Sequence, residues 1–131
     1  MDEAWRRAAL TDDVATIDRL LESGADVDAR DRYGQTALML AAPRGHEAAV
    51  RRLIEAGADL DVTAKYGLSA LMLAVVNHQG AVARALAAAG ADLTLRGTGQ
   101  GGFFDKTAAD LARGNGQAAL AGDLERRAAG G

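Results

Sequence analysis

Residues 31–62 read DRYGQTALMLAAPRGHEAAVRRLIEAGADLDV, and residues 64–93, AKYGLSALMLAVVNHQGAVARALAAAGADL, answer them almost column for column. Tyr33-Gly34 falls under Tyr66-Gly67, TALMLA at Thr36–Ala41 under SALMLA at Ser69–Ala74, and Gly57-Ala58-Asp59 under Gly90-Ala91-Asp92, all at an offset of 33. One offset earlier, Gly24-Ala25-Asp26 carries the same triplet, and Leu20, Leu53 and Leu86 share a column. Several independent landmarks at one period mark an internal repeat, the signature of stacked modules.

Each module has the punctuation of two short helices. Thr36, Ser69 and Thr107 are hydroxyl residues placed to cap the free N–H groups of a first helix. Gly24, Gly57 and Gly90 can close a second helix in the left-handed conformation without a Cβ clash. Both helices are expected to fall short of the roughly 12 residues that an isolated helix needs. Packing must hold them instead. The small residues Ala8, Ala41, Ala42 and Ala74 suit close approach between first helices, and Leu20, Leu53, Leu86 and Leu124 a continuous spine through the second. A module of this size cannot bury its apolar face alone, so stability depends on stacking.

These residues resemble the ankyrin repeat, whose signature is T-P-L-H-x-A at a period of 33. Residues 31–62 match best: they keep Gly34-x-Thr36, the Gly45-His46 between helices and the closing Gly57-Ala58-Asp59. Ala37 and Ala70 replace the family's Pro, and Met39 and Met72 its His. Both changes are apolar and sterically mild, so a local hydrogen bond is at stake rather than the fold. The resemblance implies an all-α ankyrin-like solenoid of four helix–turn–helix repeats, with hairpin fingers between them lining a concave groove. One domain spans 1–131, with repeats at about 1–30, 31–63, 64–96 and 97–131. The first reads as a cap: Trp5 falls under Leu38 and Ile17 under Val50, while Asp2 and Glu3 suit a helix N-terminus. In the last, Thr107 aligns with Ser69 at an offset of 38, so five extra residues precede it.

Those extra residues fall in RGTGQGGFFDKTAAD, Arg96–Asp110, where Gly97, Gly99 and Gly102 match G-x-G-x-x-G. A dinucleotide loop needs its third glycine at a helix start aimed at the phosphates. Here Phe103–Lys106 intervene, and no βαβ unit accompanies the match. A P-loop needs Gly before the Lys-Thr pair, and Asp105 stands there. In the repeat frame the stretch becomes an enlarged third finger, with Phe104 in the column of Tyr33 and Tyr66. Two outcomes stay open: the phenylalanines face a partner, or they fold back over the last helix pair.

Composition limits the remaining chemistry. The chain has 131 residues, a net charge of −3 and no cysteine. Thiolate metal sites and cysteine nucleophiles are excluded, and nothing suggests the clustered basic residues of a nucleic-acid binder. Lone His46 and His78 give no metal-ligand spacing; His46 reads as structural and His78 as exposed. No cofactor is implied. No signal peptide or membrane span is evident, and the Arg- and Ala-rich usage suggests a bacterial, cytoplasmic protein.

By the resemblance, recognition falls to finger tips and first-helix ends. The finger residues are Arg32, Tyr33 and Gln35; Lys65, Tyr66 and Leu68; Phe103, Phe104 and Lys106. The helix ends are Leu10 and Thr11, Pro43 and Arg44, Val76 and Asn77, Gly114 and Asn115. This aromatic and basic set, with Leu68 and Val76 expected to be exposed, suits a protein partner with an acidic, partly apolar surface. The expected function is binding another protein without catalysis, as an inhibitor, an antitoxin-like regulator or a scaffold, by a chain that is monomeric alone. The alternatives are a nucleotide or small-molecule binder, or enzyme, using the Gly97–Gly102 loop, and a self-associating structural scaffold.

Overall fold

The computed structural model describes residues 1–99 and 101–130; Gln100, inside the glycine-rich stretch, and Gly131 lie outside the described residues. Among the described residues eight α-helices follow in order: α1 (Glu3–Leu10), α2 (Val14–Glu22), α3 (Ala37–Ala41), α4 (Glu47–Glu55), α5 (Ala70–Val76), α6 (Gly80–Ala88), α7 (Ala108–Gly114) and α8 (Ala118–Gly130). Successive helices pack as antiparallel pairs, α1 with α2, α3 with α4, α5 with α6 and α7 with α8. The first helices then stack on one another in chain order, and the second helices do the same.

The helix boundaries sit where the sequence puts caps. The hydroxyls of Thr36, Ser69 and Thr107 accept the backbone N–H three residues on, from Met39, Met72 and Asp110. Each satisfies one of the four donors a helix start leaves free. Where the family's His is replaced, Met72 Sδ stands 3.5 Å from the Ser69 N–H, a weak acceptor in its place. At the corresponding position in α7 the Asp110 carboxylate accepts from the Thr107 N–H at 3.0 Å. Gly24, Gly57 and Gly90 close α2, α4 and α6 with φ of 92°, 86° and 100°.

Two helices depart from expectation. Pro43 has no N–H to donate, so α3 gives way after Ala41 to a 3-10 turn at Ala42–Arg44. Helix α8 runs for 13 residues, longer than the short second helix expected, because Ala128 stands where Gly90 ends α6.

Ala8, Ala41, Ala42 and Ala74 are buried along the stacked first helices, with Leu53, Leu86 and Leu124 behind them. Leu20 is only half-buried, a correction to the expected four-leucine spine. It lies in α2, which has no preceding second helix to cover it, whereas Leu124 in the equally terminal α8 has α6 before it. Trp5 is buried in the place of Leu38. His46 has the structural role expected of it: its Nε2 bonds the Leu10 carbonyl at 2.9 Å and so joins α4 to the end of α1. Gln117 Nε2 makes a comparable bond to the Val75 carbonyl at 2.8 Å.

Candidate functional site

The segments between helix pairs turn back tightly. In the first finger the Asp31 N–H donates to the Gln35 carbonyl, and the Gly34 N–H to the Asp31 carbonyl. In the second, Ala64 and Leu68, then Gly67 and Ala64, repeat both bonds. In the third, Gly97 N–H donates to the Lys106 carbonyl and Asp105 N–H to the Gly97 carbonyl, each at 2.9 Å. Gly34, Gly67 and Asp105 share a left-handed φ of 79°, 68° and 59°. The third finger is thus the same turn with five residues inserted between Gly97 and Phe104. That register puts Phe104 at the position of Tyr33 and Tyr66. Neighbouring fingers are also stitched together: Asp28 accepts the Asp59 N–H and Asp61 the Asp92 N–H, at 2.8 and 2.7 Å.

Among the described residues, the large apolar side chains left exposed are Tyr33 at 63%, Tyr66 at 38% and Phe104 at 65%. A cation lies over two of these rings. The Arg32 guanidinium carbon is 5.2 Å from the Tyr33 centroid and Lys65 Nζ is 5.0 Å from that of Tyr66. Phe103 turns the other way. It is half-buried, with its ring centroid 5.4 Å from that of Tyr66. The inserted loop is fastened to the same tyrosine, because the Thr98 N–H donates to the Tyr66 carbonyl at 2.7 Å. One phenylalanine therefore faces solvent and the other folds back, onto the preceding finger rather than over the last helix pair.

Fingers and first helices enclose a row of open hollows. The first, of about 500 Å³, lies between α1 and the first finger, against Glu3, Arg6, Arg32 and Tyr33. In its wall the Asp31 carboxylate accepts the Tyr33 and Gln35 N–H groups through Oδ1, while Oδ2 is buried and 3.9 Å from Arg6 Nε. The second, of about 280 Å³, has Gln35, Lys65, Tyr66, Leu68, Val76 and Phe103 among its walls. The third, of about 450 Å³, shares Val76 and Phe103 and adds His78, Lys106 and Asp110. The Thr107 backbone N–H holds the Asp110 carboxyl below its ordinary range.

Most of the expected residues gather here, with exceptions. Leu68 is buried, not exposed, since its side chain faces the core while its carbonyl closes the finger. Val76 is half-buried rather than exposed, because it forms the partition between the second and third hollows. Arg44 and Asn77 are exposed but turn back on their own helices, donating to the carbonyls of Leu40 and Leu73. Leu10 is half-buried, and Thr11 is exposed with its hydroxyl bonded to the Arg7 carbonyl. Pro43 and Asn115 are half-buried, and Gly114 is exposed. Leu73 and Met39, not among the expected residues, also reach the second hollow. His78 is exposed at the end of α5 with φ 59°.

A model of the ankyrin repeats, in three copies, matches residues 6–96, more than two thirds of the chain. The chain belongs to the ankyrin repeat family. The eight-helix stack is accordingly an all-α ankyrin solenoid. Two Rickettsia felis proteins named for their ankyrin repeats are similar to it. Each is 41% identical over 46 residues, which cover 35% of this chain and 73% or 70% of the relative. Ankyrin repeats are generally protein-interaction modules. Among the described residues no helix is long and apolar enough to cross a membrane, and no group of three or more His, Cys, Asp or Glu side chains is arranged to hold a metal ion.

Proposed function

We propose that this ankyrin chain recognises a partner protein through its finger tips and the groove beneath them, and has no chemistry of its own. The single observation that carries this is the set of exposed aromatic side chains. Tyr33, Tyr66 and Phe104 occupy equivalent positions on three consecutive fingers. Large apolar side chains left in water without a structural reason mark interaction surfaces, and aromatic anchors contribute strongly there. Residues 97–131 act in this reading as the last repeat, bringing Phe104 into line with the tyrosines. Occupying a partner's surface suits an inhibitor or antitoxin-like regulator.

Two features argue against a nucleotide site at Gly97–Gly102. The Gly97 and Thr98 N–H groups are engaged with Lys106 and Tyr66, so neither is free for a phosphate. The stretch also does not open a helix, because Phe103–Lys106 stand between Gly102 and Thr107, the N-cap of α7.

The test is affinity capture from native host lysate, with a Tyr33→Ala/Tyr66→Ala/Phe104→Ala variant as the control. The parent should retain a stoichiometric partner protein that the variant loses. Equal capture by a folded variant would refute the assignment.

A further inference from the structure

The inserted finger does more than present Phe104. By laying Phe103 against Tyr66, it divides one trough into the second and third hollows, with Val76 and Phe103 as the partition. The second hollow is mainly apolar, and Met39, Leu68 and Leu73 reach into it. The third combines Leu111 and Phe103 with polar groups.

Lys65 is the charged side chain on the second hollow's wall, while in the third Lys106 stands with the carboxylate of Asp110. Lys65 borders one and Lys106 the other, both exposed, and Arg32 lies on the adjoining finger. Among the described residues no carboxylate forms an ion pair with any of the three. Elsewhere acids and bases do meet: Arg52 with Asp18, Arg84 and Arg126 with Asp123, Arg51 with Glu47, Arg113 with Glu125. Asp110 in the third hollow accepts the Thr107 N–H, which favours its ionised form, and it lies near Lys106, so the excess positive charge sits towards Lys65 and Arg32; Asp105 on the finger faces Arg96 at 3.7 Å. Unpaired cations rimming apolar hollows complement negative charge on whatever docks.

We infer that the occupant is a linear acidic segment of the partner protein, carrying two apolar side chains that seat on either side of Phe103 while its carboxylates meet Lys65 and Lys106. This rests on the partner-binding reading and specifies its ligand. Apolar anchors in the hollows supply affinity, and the rim charges supply selectivity and rate.

The experiment is selection of a random peptide library, displayed on phage, against the full chain. Enriched peptides are then synthesised and their binding read by fluorescence anisotropy. Enriched sequences should combine Asp or Glu with two large apolar residues. Lys65→Glu/Lys106→Glu, whose side chains are exposed and leave the core untouched, should weaken binding about tenfold or more. Phe103→Ala should do so to a similar degree, with circular dichroism verifying its fold. Raising salt should weaken binding to the parent, because rim charges are screened.

Neutral or basic peptides that still require Tyr66 and Phe104 would overturn the acidic assignment and leave the partner-binding reading standing. Failure to enrich any peptide, or binding indifferent to both variants, would also overturn it, while lysate capture decides the broader reading separately. Concentration-dependent dimers abolished by Lys65→Glu/Lys106→Glu would replace the proposed segment with a second copy of the chain.

Discussion

Replacing Gly97 by Ala should open the third finger. A Cβ on Gly97 would fall on the Phe103 carbonyl oxygen and lie 2.8 Å from its carbon, where ordinary contact begins at 3.4 Å. With the oxygen only 2.0 Å away, the two arms must part by roughly 1 Å or more to admit a methyl group. The Gly97–Lys106 and Asp105–Gly97 backbone bonds hold those arms at 2.9 Å. Each contributes about 1 kcal/mol net, and the Phe103–Tyr66 ring pair adds about 0.5–1.5 kcal/mol. Losing most of this costs about 2–3 kcal/mol, which lowers Tm by roughly 8–12 °C for a domain of this size. Gly102→Ala is the control. Gly102 has no positive φ, and a Cβ there would meet nothing within 4 Å. Its Tm should stay within about 2 °C of the parent. Melting is followed by far-UV circular dichroism, with exchange of the Thr98 amide as the local probe. Gly97→Ala melting like the parent with Thr98 still protected would refute the reasoning. So would equal damage from Gly102→Ala.

Leu53→Ala, in a fully buried column, should cost about 3 kcal/mol in urea titration. Leu20→Ala should cost clearly less, and equal losses would contradict the one-sided packing of α2. Thr36→Ala and Ser69→Ala should each lower stability by about 1 kcal/mol through loss of a buried cap; unchanged unfolding midpoints would remove the capping role. Local hydrogen bonds hold Asp13, Asp92 and Asp110 below their ordinary pKa of 3.8, from the Thr16 and Thr94 side chains and the Thr107 backbone N–H respectively. Folding therefore releases protons from these groups. Their contribution is complete above 3.8 and is lost as pH falls through that value towards the lower folded one. Tm should be flat near neutrality and fall in acid, with a shallower acid fall in Asp110→Asn; an unchanged acid slope would count against the Asp110 contribution.

Much of this was legible because period and caps are local properties. A hydroxyl at Thr36 or Ser69 and a glycine at Gly57 or Gly90 fix helix ends through one or two backbone bonds. The finger alignment was legible too, since counting five extra residues before Thr107 is enough to put Phe104 in register with Tyr66. Three-dimensional outcomes were harder to read. Leu68 shares a column with the polar Gln35 and Lys106, and its side chain turned inward to the core. Its own apolarity was the available signal. Phe103 and Phe104 are adjacent and identical, so only the closed finger separates their roles. Arg44 and Asn77 found nearby carbonyls, which a column of helix-end residues does not reveal. The length of α8 followed from the absence of a glycine at Ala128, a signal present in the sequence.

The five-residue insertion leaves the bonds at the base of its finger in the same pattern as in the fingers without it. Loop length at this position is therefore a nearly independent variable. Doubling a flexible loop costs only about 0.6 kcal/mol in closure entropy, and the bonds at Gly97, Asp105 and Lys106 would hold α7 in register. A lineage, or an engineer, could graft new sequence between Gly97 and Phe104 and alter what the molecule grips without redesigning its helices.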